Sequence, residues 1–202
     1  ANLDNQGTVE VAHNLTYSGD FINDGTVNLS AGKTLTVQGT TTWTHRNGGI
    51  TGSGTLSLAN GSTFVLEEDF TPGTFTLNAP NLTVNGPARF LGPTTGEFLI
   101  RSWTINAEVV VSGDLRIEGN VNFNSALNVA AGKTLRLVGD PSVGPASLTL
   151  TNGLINAGTI ELTTSNVNYS ASLTVTSGTL TNATGGLIRI AQGAGGQPRT
   201  LN

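Results

Sequence analysis

Two stretches decide the fold: VNLSAGKTLTVQG (27–39) and LNVAAGKTLRLVG (127–139). They align without gaps at an offset of 100 residues, so Asn28, Ala31, Gly32, Lys33, Thr34, Leu35 and Gly39 recur as Asn128, Ala131, Gly132, Lys133, Thr134, Leu135 and Gly139. An offset of 100 fits five turns of about 20 residues, within the range of stacked repeats. Each copy enters a segment in which apolar and polar residues alternate, and a period of two is the signature of a strand. Leu35 and Leu135 are therefore expected inside. Lys33 and Lys133 would share their face in a regular strand, so both are placed at a corner, outside the strand proper.

A second motif runs through the rest of the chain: Gly-Thr followed by alternating aliphatic residues. It reads NQGTVEV (5–11), NDGTVNL (23–29), GSGTLSL (52–58), TPGTFTL (71–77) and NAGTIEL (156–162), with a looser copy ATGGLIRI (183–190). The separations are uneven: 18 residues from Gly7 to Gly25, 29 from Gly25 to Gly54, and 19 from Gly54 to Gly73. Asn-Gly and Gly-Gly turns, which tolerate positive φ, stand between the segments. No helical period of 3.6 persists. A sandwich would use longer strands and more aromatic anchors. The sequence predicts an all-β chain, a parallel β-solenoid (β-helix) of irregular coils of roughly 20 residues, forming one domain over 1–202. Four of its seven prolines, Pro72, Pro80, Pro87 and Pro93, fall within a proline-rich interruption around 71–93, where loops and a side protrusion are expected.

Composition narrows the setting. Charged residues are 11% of the 202, against about 25% in an ordinary globular protein. Nine Lys and Arg without a cluster, at a net charge of −4, exclude a phosphate-tracking surface, so no nucleic-acid partner is expected. No apolar run approaches the ~18 residues of a membrane span, and no membrane insertion is expected. Without cysteine there is neither a disulfide framework nor a thiolate metal site. The chain has no methionine and opens on Ala1, which suits a processed product or an excerpt. A weakly charged Gly/Asn/Thr-rich β chain points to an extracellular or cell-surface location.

The Gly-Thr motif resembles the β-helix repeats of bacterial surface proteins, autotransporter passengers and filamentous-haemagglutinin-like adhesins. The resemblance spans essentially the whole chain but marks a fold more than one family. It implies a secreted or surface-exposed scaffold or adhesin, with surface glycans as a further partner class, and transfers no site residue.

Catalytic constellations are absent from the pattern. The Gly-Lys-Thr triplets lack the phosphate loop's earlier glycine, since Val27 and Leu127 stand there, and strand follows rather than helix. Glycoside cleavage calls for two carboxylates facing one sugar; the acidic residues here are scattered. Arg101/Glu118 and Arg116/Glu118 read as surface ion pairs. Glu67-Glu68-Asp69 offers oxygen ligands for Ca²⁺ but too few, and reads as a solvated loop. His13 and His45 read as surface histidines. No enzyme activity and no cofactor are expected. Trp43, Trp103, Tyr17 and Tyr169 could stack on sugars if exposed together. Outward Thr-x-Thr pairs such as Thr42/Thr44, Thr149/Thr151 and Thr174/Thr176 could bind ice if aligned coil over coil, and the uneven spacings argue against alignment. A monomeric polysaccharide-binding or polysaccharide-cleaving β-helix, or an ice-binding solenoid, is thus the alternative.

The ends carry the main functional expectation. Neither end shows a capping helix, and exposed strand edges invite pairing. Val9 and Val11 at one end, and Leu187, Ile188 and Ile190 at the other, are the expected self-association residues. The partner expected is another copy of the chain, head to tail, in a surface filament or an adhesin stalk.

Overall fold

The computed structural model describes residues 2–202; Ala1 lies outside the described residues. The chain is an all-β parallel solenoid with three faces and no helix among the described residues. One face runs its full length as a ten-stranded sheet: Leu3–Asn5, Phe21–Asn23, Thr42–His45, Thr63–Leu66, Thr83–Asn85, Thr104–Ile105, Asn120–Phe123, Ala146–Leu150, Ala171–Val175 and Arg199–Leu201. The second face begins with a three-stranded sheet, Thr8–Val11, Thr26–Leu29 and Gly49–Gly52. It resumes after a gap as a five-stranded sheet from Phe90–Leu91 to Leu180–Asn182. The third has four strands from Leu15–Ser18 to Thr76–Asn78, then five from Glu97–Arg101 to Leu187–Ile190.

The deciding repeat has a direct structural meaning. Thr34–Gln38 and Thr134–Gly139 both lie on the third face, five rungs apart. Gly32 and Gly132 turn the same corner with φ of +68° and +72°, a region that favours glycine. The first strand amides are held alike: Thr34 N–H donates to Asn14 Oδ1 at 3.1 Å, and Thr134 N–H to Asp114 Oδ1 at 2.8 Å. Leu35 and Leu135 are fully buried, and Lys33 and Lys133 sit half-buried just before their strands.

The Gly-Thr motif serves two different corners, which explains its uneven spacing. In NQGT and NDGT it opens the second face; in GSGT, TPGT and NAGT it leads into the third. The interval of 29 residues from Gly25 to Gly54 therefore joins unlike corners. True coil lengths, read from strand register, run from 17 (Glu97 beside Asp114) to 28 residues (Ser172 beside Thr200). Glycine is required because rungs approach closely. A Cβ on Gly54 would lie 2.5 Å from the Ser30 carbonyl oxygen, and one on Gly158 would lie 2.3 Å from that of Ala130. The asparagine before the glycine turns inward. Asn5 Nδ2 donates to Asn23 Oδ1 at 2.8 Å, and Asn156 Nδ2 to Asn182 Oδ1 at 2.7 Å, so the side-chain amides link rung to rung.

Within 71–93 the long face continues in register, Thr63 beside Thr83 beside Thr104, while the other two faces change sheets. Pro80 has no N–H to give. The Trp103 indole N–H takes the Ala79 carbonyl at 2.8 Å, and Thr76–Asn78 stays unpaired with Glu97–Arg101. Aromatic rings fill this junction, with Phe64 and Phe70 at 5.0 Å and Phe70 and Phe90 at 5.6 Å. The expected protrusion is not here. The chain leaves the coil at 140–145 instead, where Asp140 and Gly144 form an antiparallel bridge.

Candidate functional site

Each outermost strand pairs on one side only. At one end these are Leu3–Asn5, Thr8–Val11 and Leu15–Ser18; at the other, Leu180–Asn182, Leu187–Ile190 and Arg199–Leu201. Beyond Ile190 the chain forms one further strand, Arg199–Leu201. It is three residues long and follows a Gly-rich turn, so alternation alone does not reveal it.

The five expected end residues divide. Ile190 stands in the inward column of Leu162 yet is 55% exposed, and Ile188, in the column of Ile160, is half-buried. Val9 is half-buried in the column of Val27. Val11 is already buried within the chain, and Leu187 stands in the outward column of Thr159. Leu187 is nonetheless 51% exposed and offers apolar surface on the outermost rung. Two residues not anticipated also do so: Leu15, 42% exposed in the column of Leu35, and Leu201, 44% exposed in the column of Leu173. Their place is visible only once register is known.

A comparison of two glycines shows what the end lacks. A Cβ on Gly25 would lie 2.0 Å from the Gly7 carbonyl oxygen, so Gly25 has to be glycine. Gly7 holds the same motif position on the outermost rung. A Cβ there would meet nothing within 4 Å, and its backbone is outside the positive-φ region. Among the described residues no contact calls for glycine at position 7. One rung further out would.

Other candidates are accounted for by the chain's own packing. Glu118 is 2% exposed, with Arg101 and Arg116 each at 2.5 Å, so these are not surface pairs: the carboxylate is buried beneath two half-exposed guanidinium groups. Arg116 continues to Asp140 at 3.3 Å. His45 is not a surface residue either. It points inward, 5.0 Å from the Phe70 ring, and burial holds its pKa below the ordinary value. His13 is exposed. In the acidic run, Glu67 pairs with Arg46 at 2.7 Å and Asp69 with Arg89. Among the described residues no three His, Cys, Asp or Glu group to hold a metal. Trp43 and Trp103 are core residues, so neither offers a sugar-stacking platform. A cleft of about 410 Å³ opens where Thr76–Asn78 and Glu97–Arg101 fail to pair, bordered by Leu77, Leu99 and Arg101. Asn81 and Ser102 flank it at φ of +50° and +58°, and its one charge, Arg101, is already bound to Glu118. No helix is long and apolar enough to cross a membrane among the described residues.

These features define a three-faced parallel β-solenoid whose end rungs are open. No family model, no curated protein and no solved structure matches the chain.

Proposed function

We propose that the chain is a structural unit of an extracellular or cell-surface filament or adhesin stalk, in which a second copy covers each open end, head to tail. The observation that carries this reading is Gly7, a close-packing glycine with nothing packed on it. The open strand edges and the half-exposed Leu15, Ile190 and Leu201 support it, because a further rung would pair their backbones at about 4.8 Å and bury them. A head-to-tail contact is heterologous, so it propagates into an open filament. The extracellular setting rests on the low charge and on the resemblance to surface-protein repeats. In this reading the chain has no catalytic role and carries no cofactor.

Electron microscopy of the purified chain tests the reading, with proline introduced at Thr8 and at Ile188, whose N–H groups face away from the neighbouring strand, as controls. Proline removes a donor that a continuing ladder needs. The expected result is fibres of the wild-type chain and isolated particles of the proline variants. Isolated particles of the wild-type chain at every concentration would overturn the reading.

A further inference from the structure

The outward side of the ten-stranded sheet is unlike the rest of the surface. Strand register places Thr42, Thr63, Thr83, Thr104, Asn122, Thr149 and Thr174 side by side in one rank. A second rank, two residues on, begins Thr44, Val65 and Asn85. It continues through Asn106 and Asn124, joined by amide hydrogen bonds of 2.6 and 2.8 Å. The uneven coil lengths do not disturb these ranks, because extra residues leave the coil at the corners and on the other faces. The expectation that irregular spacing prevents alignment is therefore corrected.

Charge divides the surface sharply. No outward position in the strands of this face from Thr42 to Val175 is charged. The third face instead carries Arg101, Glu118, Arg116, Arg136, Glu161 and Arg189 in linked ion pairs. No tryptophan stands outward on the ten-stranded face, since Trp43 and Trp103 both point into the core. A charged ligand finds no counter-charge there, and a sugar ring finds no indole to stack on.

We propose that this face binds the surface of ice. Its repeats are about 4.8 Å along the solenoid, the spacing of neighbouring strands, and about 6.6 Å across it, the i to i+2 distance. Water oxygens in hexagonal ice recur on similar lengths in two directions. Each threonine hydroxyl both donates and accepts, so it can take the place of a lattice water. The β-branch restricts χ1, which fixes hydroxyl and methyl positions before contact. A preorganised array loses little conformational entropy on binding, and many weak contacts then add. Charged side chains would hold their own hydration shells against the lattice; the strands from Thr42 to Val175 present none outward. The inference does not rest on end-to-end assembly, since a single chain carries the whole array.

The test is incorporation of the labelled full chain into slowly grown ice, alongside thermal hysteresis and adsorption to insoluble neutral polysaccharide. The wild-type chain is expected to enter ice, to hold a freezing gap and to stay off the polysaccharide. Thr83→Lys and Thr104→Lys should lose incorporation while keeping the wild-type melting curve. Thr51→Lys, outward on the three-stranded sheet of the second face, should retain it. Exclusion of the wild-type chain from ice would overturn the proposal, whether or not polysaccharide retains it. So would undiminished incorporation of both central variants, or loss in Thr51→Lys equal to theirs.

Discussion

The same column of the core reads differently in the middle of the solenoid and at its ends. On the third face Leu135 is 0% exposed, with Leu115 in register on one side and Ile160 on the other. Leu15 holds the equivalent inward place on the outermost rung, paired only with Leu35, and is 42% exposed. The Gly25 and Gly7 pair repeats the contrast for the backbone. A rung is complete only when rungs lie on both sides of it. At each end the solenoid therefore leaves inward-column residues, Leu15, Ile190 and Leu201, without a rung lying over them.

The contrast breaks most visibly at the glycines. Gly25→Val and Gly158→Val push a side chain into carbonyl oxygens of the preceding rung, at 2.0 and 2.3 Å from the Cβ position. Each should cost more than about 4 kcal/mol, a loss tied to overpacking against backbone that cannot yield. Gly7→Val should leave the melting temperature of the dilute chain unchanged. Equal losses at positions 7 and 25 would remove the distinction between end and interior.

Next in size is the leucine pair. Leu135→Ala should cost about 2–5 kcal/mol through lost burial and a cavity. Leu15→Ala, already half in water, should cost less than about 1 kcal/mol in the dilute chain. Denaturant melts of both variants below the assembly concentration compare the two directly. A third prediction concerns the charged face. Glu118→Ala strands Arg101 and Arg116 without their shared buried acceptor and should cost about 1–3 kcal/mol. Glu67→Ala, an exposed partner of Arg46, should cost less than about 1 kcal/mol.

The smallest effect is a pH dependence. Hydrogen bonds from Ser142 and Ser165 lower the Asp140 pKa from 3.8 to about 2. A depressed carboxylate pKa gives stability that is present above the unfolded value and lost as pH falls from 3.8 toward 2. His45 works at higher pH. Burial lowers its pKa, so its contribution is complete above 6.5 and declines as acid protonates the unfolded chain. Melting temperature against pH should fall in two stages, and Ser142→Ala with Ser165→Ala should flatten the lower one. A wild-type profile without the lower stage would contradict the assigned hydrogen bonds.

Much of the fold is legible in the sequence because stacking repeats the same local demand. Leu35 and Leu135, Gly32 and Gly132, and Asn5 and Asn23 each report a rung-to-rung environment in their own identity. What does not show is which face a segment occupies. Gly25 and Gly54 carry the same motif at different corners, so their spacing conceals the ranks of threonine on the long face. Burial set by distant neighbours is hidden as well. His45 is polar but meets Phe64 and Phe70 in the core, and Glu118 is covered by Arg101 of the preceding rung. Of the end residues, Val9, Ile188 and Ile190 follow from alternation. Leu15 and Leu201 emerge only when register shows which columns run out.

The central claim, that the end rungs are built to be covered by another copy, is tested most directly by sedimentation across a concentration series of the wild-type chain and Gly7→Leu. A leucine at position 7 points into open space in the isolated chain and into a backbone carbonyl if a further rung is stacked there. The account predicts that the wild-type chain grows into long assemblies as concentration rises, while Gly7→Leu stays monomeric with an unchanged melting temperature. A wild-type chain that remains monomeric throughout, or a Gly7→Leu chain that assembles equally well, would contradict it.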